Sequence, residues 1–276
     1  MTGGALPPER EGVPASDDLL ARRARAAGTM PVDPPEERVI GGRRCFVIGD
    51  GPTLLWLHGG GYRMGSPVAY IALARRIAAA AGVQVVLPFY RLAPEHPFPA
   101  GLNDAVAVYR TLVADGPVIV AGDSAGGGLA AAVAQVAQAA GMPAAGAILL
   151  SPMLDLAARD ATYDSHAARD PYISRAVVLD CAGLYLAGQS TDDPHASPIH
   201  ADPAVLPPML LLAGGHETLL GEALAFTAKL ALADRAVTLH VAAGMGHVWP
   251  LLAPDSPATE DAVAAMAGFV RAQVAR

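Results

Sequence analysis

The chain has 276 residues, of which 53% are hydrophobic and only 16% are charged, so it can bury a large core within one α/β domain. Its formal net charge of −7 disfavours nucleic acid and anionic membrane surfaces as partners. We expect neither a signal peptide nor a membrane span, because no basic stretch leads into an apolar one near the start and the apolar tracts are interrupted. Cys45 and Cys181 are expected to be buried, reduced thiols of a cytoplasmic protein.

Short apolar runs alternate with segments of helical spacing along the chain. Ser16 is the predicted N-cap of the first helix, and Gly82 is predicted to end the second. Strands that are apolar throughout and alternate with helices indicate a mostly parallel sheet covered on both faces. The predicted strands are a pair within 39–48, then 53–57, 83–88, 118–121, 147–150, 207–213 and 237–242. The predicted helices are 17–25, 68–81, 102–114, 125–140, 174–186, 222–233 and 258–275.

Residues 155–203 interrupt this alternation. An insertion between strands near a catalytic loop is typical of a lid, and an ordinary surface excursion is the alternative. We expect residues 1–276 to form a single domain that includes this segment.

Ser124 lies in Gly122-Asp123-Ser124-Ala125-Gly126, between a predicted strand and a helix that opens at Ala125. This pattern in this context predicts a nucleophile elbow, a sharp turn that exposes the serine hydroxyl in a cleft. Glycine is needed at both ends because a side chain there would collide with the neighbouring strand or helix. A plain strand-to-helix turn is the alternative interpretation.

A serine hydroxyl needs a general base, and the base needs an orienting acid. On this kind of sheet both are expected after the serine in the chain, on loops that follow strands. His247 fits the base, because it follows the strand at 237–242 and is flanked by glycines. The histidines weighed against it, none of which combines these features, are His166, His195, His200, His216 and His240.

Glu217 is the predicted acid, because it follows the strand at 207–213. Asp155 competes for the role, and we interpret it as a capping or turn carboxylate.

His58 is followed by three glycines after the strand at 53–57. Consecutive glycines let backbone amides face the cleft, so Gly60 and Gly61, with the amide of Ala125, are predicted to hold the oxyanion. A phosphate loop is excluded because no Gly-Lys-Ser/Thr follows. The histidines are scattered and the cysteines are isolated, so neither a metal nor a cofactor is predicted. The residues predicted to line the substrate pocket are Tyr62, Asp123 and Val248.

These motifs resemble those of the hormone-sensitive-lipase-like esterases of the α/β-hydrolase superfamily, over residues from about 30 to the end. His58-Gly59-Gly60-Gly61 is similar to that family's oxyanion motif, and Gly122-Asp123-Ser124-Ala125-Gly126-Gly127 is similar to its serine motif. Further similar segments are 90–100, 150–156, 193–198 and 206–208.

The resemblance implies an α/β-hydrolase fold with a small helical cap built from about 1–35 and 156–200. It also implies that residues 90–100 are a structural brace. We assign no catalytic role to Arg91, Glu95 or His96 and expect them to form an ion-pair and hydrogen-bond scaffold. Glu217 stands where many relatives have Asp, and Gly221-Glu222 replaces a usual acidic pair, so we expect altered local hydrogen bonding.

The resulting hypothesis is a serine carboxylesterase that hydrolyses small esters with short or medium acyl chains through an acyl-enzyme. A deacetylase, lactonase or amidase of a small metabolite is an alternative, because one triad serves all of these reactions. A non-catalytic ligand-binding relative is a further alternative, although such relatives have lost the histidine that is present here as His247. A homodimer through the last strand, at a predicted sheet edge, is expected as well.

Overall fold

The computed structural model describes residues 6–275, and its strands and helices alternate along the chain as the sequence predicts. The strands are β1 (Glu36–Ile40), β2 (Arg43–Ile48), β3 (Thr53–Leu57), β4 (Gln84–Pro88), β5 (Val118–Asp123), β6 (Gly146–Leu150), β7 (Met209–Gly214) and β8 (Val237–Ala242). The helices are α1 (Asp17–Ala26), α2 (Ile71–Ala81), α3 (Ala100–Val113), α4 (Ala125–Ala139), α5 (Thr162–Ser165), α6 (Arg175–Leu186), α7 (Leu220–Leu232), α8 (Trp249–Leu252) and α9 (Pro257–Val274).

One eight-stranded sheet runs through the molecule in the order β1-β2-β4-β3-β5-β6-β7-β8. Strand β2 is antiparallel to both of its neighbours, and the remaining pairs are parallel. Because parallel strands end at the same edge of a sheet, the loops after β3, β5, β7 and β8 meet there. This arrangement confirms the predicted α/β-hydrolase fold.

The two faces of the sheet carry separate apolar clusters. Alternate residues of β3 divide between them, since Leu55 belongs to the cluster under α3, α4 and α7 while Leu54 belongs to the one under α2 and α9. Phe226 of α7 is fully buried on the first face and Met266 of α9 on the second. Full burial of such a side chain contributes about 1.5–3 kcal/mol, so both helix layers fix the sheet.

Helix ends follow the predicted signals with one difference. The Ser16 hydroxyl accepts a hydrogen bond from the amide of Leu19 at 3.3 Å, and Gly82 ends α2 with φ 68°. The segment predicted as the start of α2 forms a 3-10 turn instead, at Pro67–Tyr70, with Ser66 as its cap. Pro67 opens this turn, where its missing amide costs no hydrogen bond.

The stretch 90–100 is tied to the N-terminal part of the chain by ion pairs. Arg91 binds both Asp104 and Glu9, each at 2.8 Å, and the guanidinium of Arg23 in α1 contacts both carboxylate oxygens of Glu95. The predicted scaffold therefore exists for Arg91 and Glu95. For His96 the prediction is wrong, because that residue is exposed and, within residues 6–275, only its backbone amide makes a hydrogen bond, to the carbonyl of Leu92.

The excursion between β6 and β7 carries α5 and α6. The last residues of α6 pack inward, with Tyr185 and Leu186 buried. Cys45 and Cys181 are both buried and free, as expected. No helix in the described part of the chain has the length and apolarity to cross a bilayer.

Candidate active site

A strained turn places Ser124 between β5 and α4. Its backbone has φ 52° and ψ −123°, a region that non-glycine residues rarely occupy and that costs on the order of 1–3 kcal/mol. The turn is held because the Ser124 amide donates to the carbonyl of Leu150 at 2.9 Å. A Cβ at Gly122 would overlap the carbonyl of Gly126, and one at Gly126 would overlap that of Leu57. Glycine is therefore required at both positions by steric overlap with neighbouring backbone.

Three side chains that are distant in the chain meet at this turn. The Nε2 atom of His247 lies 3.0 Å from the hydroxyl oxygen of Ser124, and its Nδ1 atom lies 3.1 Å from Oε2 of Glu217. Glu217 is fully buried, and its other oxygen accepts the amide of Gly214 at 2.9 Å. No other histidine of the described residues bonds Ser124. The geometry is that of a hydroxyl, a base and an orienting carboxylate.

Loops at the ends of β7 and β8 deliver the carboxylate and the imidazole. Glu217 lies three residues beyond the end of β7, and His247 lies five beyond β8. The residue after the histidine, Val248, has φ 51°, and its amide donates to the hydroxyl of Ser151 at 3.1 Å. This bond fixes the loop that carries His247.

The loop after β3 brings free amides to the same place. Gly60 and Gly61 have φ 120° and 61°, backbone conformations that side chains disfavour. Their amides donate to no acceptor within residues 6–275. Ala125 is the first residue of α4, so its amide has no partner within that helix, and the helix dipole adds partial positive charge there. The three amides suit a developing negative charge.

Asp123 fixes the loop after β3 by a hydrogen bond. Its carboxylate accepts the amide of Gly59 at 3.1 Å, the hydroxyl of Tyr70 at 2.8 Å and the indole N–H of Trp56 at 3.3 Å. Burial raises the pKa of Asp123 to about 6, and these hydrogen bonds act in the opposite direction. Sequence reasoning placed Asp123 in the pocket but missed this positioning role.

His58 and Tyr90 support the loop from the other side. Their rings stack at 4.3 Å, and the Tyr90 hydroxyl donates to the carbonyl of His58 at 2.6 Å. Burial lowers the pKa of His58 to about 4, so the ring is neutral near pH 7. The brace at 90–100 therefore acts on the oxyanion loop directly.

A cavity of about 330 Å³ opens onto Ser124 and His247. Of the three predicted pocket residues, Asp123 and Val248 lie in its wall. Tyr62 does not, because its ring is buried and stacks on that of Tyr185 at 3.8 Å. The side chains that sequence reasoning missed are largely apolar: Met64, Met153, Ile173, Val177, Cys181 and Leu251.

Two further carboxylates lie near β6 without touching the triad. Asp155 accepts the amides of Ala157 at 3.0 Å and Arg159 at 3.2 Å, which agrees with its interpretation as a turn carboxylate. Glu222 accepts the amide of Leu154 at 2.7 Å and the hydroxyl of Tyr163 at 2.6 Å. Glu222 therefore joins α7 to the loop after β6, and the altered hydrogen bonding expected from Gly221-Glu222 stays a prediction.

Comparison with known proteins places this site in a family. A family model described as the alpha/beta hydrolase fold matches residues 54–251, well over half of the chain. The chain belongs to this family. Within this family the chain is hormone-sensitive-lipase-like. The crystal structure of an esterase from the bacterial hormone-sensitive lipase family is 36% identical to it, with a TM-score of 0.84, and the match covers 94% of this chain and 99% of that one.

Two further relatives are named as hydrolases of particular types. An acetyl-hydrolase of Streptomyces hygroscopicus is 40% identical to this α/β hydrolase over 91% of the chain and 87% of the relative. A carboxylesterase of Mycobacterium tuberculosis is 32% identical over 76% of this chain and 70% of its own length.

Proposed function

We propose that this α/β hydrolase is a serine carboxylesterase that acts on small esters with short or medium acyl chains. The observation that carries the proposal is the 3.0 Å contact between Ser124 and His247, at the wall of a largely apolar cavity. The esterases among its relatives support the same reaction class.

In the proposed reaction, the Ser124 hydroxyl attacks the ester carbonyl while Nε2 of His247 takes its proton. Glu217 accepts the Nδ1 proton in a hydrogen bond and stabilises the imidazolium that forms. The carbonyl oxygen, now negative, receives the amides of Gly60, Gly61 and Ala125. His247 returns its proton to the leaving alcohol, and an acyl-enzyme remains. Water attacks this ester by the same route, which frees the acid and restores the serine.

The size of the cavity supports the acyl-chain range. About 330 Å³ of space, lined mainly by side chains such as Met153 and Val177, suits a small apolar acyl group. Two residues of the cavity wall are exposed. Tyr172 lies between α5 and α6, and Leu252 is the last residue of α8. We propose that the segments 1–35, of which residues 1–5 lie outside the described part, and 156–200 act together as a cap. Tyr172, in the second segment, lies in the cavity wall.

Removal of acetyl groups is a second candidate, because relatives named as acetyl-hydrolases include one that is 40% identical. It differs from the first in substrate and not in mechanism. A panel of acetyl, butyryl and octanoyl esters of one alcohol separates the two, since a strict deacetylase would process only the first.

We also propose that β8 joins two copies of the chain, because it lies at the end of the described sheet and Val241 on it is exposed. Light scattering after size-exclusion chromatography tests this, and a monomer at micromolar concentration would contradict it.

The free thiols Cys45 and Cys181 support the cytoplasm as the predicted compartment.

The direct test of the proposed reaction compares the wild type with Ser124→Ala on p-nitrophenyl butyrate. The wild type should release p-nitrophenol and become labelled by a fluorophosphonate at Ser124, as seen by mass spectrometry. Ser165→Ala, which removes an exposed serine hydroxyl elsewhere, is the matched control. Unchanged turnover in Ser124→Ala would rule the mechanism out.

A further inference from the structure

An arginine, Arg63, lies in the wall of the cavity that holds Ser124. Only 8% of the residue is exposed. Its amide donates to the carbonyl of Gly60 at 3.3 Å, and its own carbonyl accepts Nε of Arg23 at 2.7 Å. The backbone of Arg63 is therefore fixed to the loop that presents the oxyanion amides.

The guanidinium of Arg63 has few partners for so buried a cation. Nη1 donates to Asp180 and the Cys181 thiol lies beside the guanidinium, but neither Nε nor Nη2 donates to a nitrogen or oxygen within residues 6–275, and Nε is fully buried. A guanidinium carries five N–H donors in a rigid fork, so most of its hydrogen-bonding capacity is unused. Buried cations are uncommon unless paired, and unmet buried donors in a native structure call for an explanation.

Asp180 compensates this charge weakly. Its side chain is 63% exposed, whereas that of Arg63 is 10% exposed. An exposed carboxylate is well hydrated and gains little from the ion pair, so a second anion can compete for the guanidinium.

The rest of the cavity wall makes Arg63 distinctive. Among the described residues that line the cavity, it is the one arginine or lysine. The carboxylate of Asp123 already accepts three hydrogen bonds, and most other lining side chains are apolar. A charge in such surroundings is screened less than one in water, so it attracts an anion more strongly.

Arg63 also has space on its far side. A second pocket, between α1 and α6, is lined by Arg63 together with Asp180 and Leu184. The side chain of Arg63 thus borders both the cavity at Ser124 and this second pocket.

We propose that Arg63 is a specificity-determining residue, which binds an anionic group of the substrate while its ester bond lies at Ser124. The inference rests on the proposed esterase function and names its substrate class: small esters that carry a carboxylate or a phosphate-type oxyanion. A planar guanidinium fork matches both groups in a two-point contact.

The test measures kcat/KM for matched pairs of substrates in the wild type and in variants. On the alcohol side the pair is p-acetoxybenzoate and its neutral amide, p-acetoxybenzamide, with p-acetoxyphenyl phosphate as the phosphate probe. On the acyl side the pair is the mono-p-nitrophenyl ester of adipic acid and p-nitrophenyl hexanoate. The readout is the ratio of kcat/KM for the anionic substrate to kcat/KM for the neutral one. The two anionic probes on the alcohol side show whether a carboxylate or a phosphate is preferred.

We expect the wild type to favour an anionic probe in at least one series. Arg63→Gln should lower that ratio roughly tenfold or more, since a hydrogen bond to a charged group has this size. Arg63→Lys should retain part of the preference. Asp180→Asn, a change at an exposed side chain that leaves Arg63 in place, should raise the ratio because it removes the competing carboxylate.

The proposal is overturned if neither Arg63→Gln nor Asp180→Asn changes the ratio of kcat/KM between anionic and neutral substrates. This holds even if Arg63→Gln lowers activity on every substrate. A wild type that hydrolyses no ester would contradict the esterase function instead. In that case calorimetry on Ser124→Ala decides the role of Arg63. Tighter binding of p-hydroxybenzoate than of p-hydroxybenzamide, lost in the double variant with Arg63→Gln, supports it, and equal binding overturns it.

Discussion

The buried carboxyl group of Glu222 is expected to make folding less favourable as pH rises. Burial raises its pKa from the ordinary 4.5 to about 7, against the opposing effect of its hydrogen bonds from Tyr163 and two backbone amides. Below about pH 4.5 the group is protonated in both states, so the stabilisation is fully present there. Above that, the unfolded chain releases a proton that the folded chain keeps. The stabilisation is therefore lost as pH rises to about 7 and beyond, by on the order of 3 kcal/mol.

Glu222→Gln isolates this effect with little change in shape. The amide oxygen can accept the backbone amides of Leu154 and Asp155, and the amide nitrogen can donate to the oxygen of Tyr163. Asp123, whose pKa is also raised, is present in both proteins, so its contribution cancels in the difference.

The assay is urea unfolding of both proteins at about pH 5 and about pH 8. Relative to the wild type, Glu222→Gln should gain about 2–3 kcal/mol in free energy of unfolding between the two pH values. Glu11→Gln removes an exposed carboxylate and should show no such gain. If the difference in free energy of unfolding between Glu222→Gln and the wild type is the same at both pH values, or shrinks at high pH, the carboxyl group of Glu222 does not have a raised pKa in the folded protein.

Three other expectations concern the site and its packing. Glu217→Ala should lower kcat by roughly three to four powers of ten with the fold intact by circular dichroism, and a loss below tenfold would contradict its orienting role. Tyr70→Phe removes the hydroxyl that bonds Asp123 and the oxyanion loop, so kcat should fall roughly tenfold with little change in KM; an effect on KM alone would count against it. Gly126→Ala should lose about 1–3 kcal/mol or more in urea unfolding, whereas Gly268→Ala, where a Cβ meets nothing within 4 Å in α9, should gain about 0.5–1 kcal/mol. Equal effects of the two glycine changes would exclude steric overlap as the cause.

The sheet and the order of the site residues could be predicted because both depend on local pattern. β5 is apolar from Val118 to Gly122 and ends directly before Ser124, and β7 and β8 are followed closely by Glu217 and His247. A parallel sheet then brings these loops to one edge whatever the side chains between them. The distances among the three residues needed the structure.

The pocket wall was harder to predict because it depends on contacts between distant segments. Tyr62 follows the oxyanion glycines, yet its ring turns away and stacks on Tyr185 of α6, far along the chain. Val177 and Cys181 line the cavity because α6 packs over it. The sequence of α6 predicts a helix but does not predict which other segment that helix contacts. His96 is exposed for the same kind of reason, since a proline-rich loop does not specify which side chains face inward.

The backbone of Ser124 has one more consequence. A serine with φ 52° is under conformational strain that glycine would relieve, so Ser124→Gly should melt at a higher temperature than the wild type while being inert. Selection for heat resistance alone would remove the nucleophile. Thermal stability and turnover thus make opposite demands on this single residue.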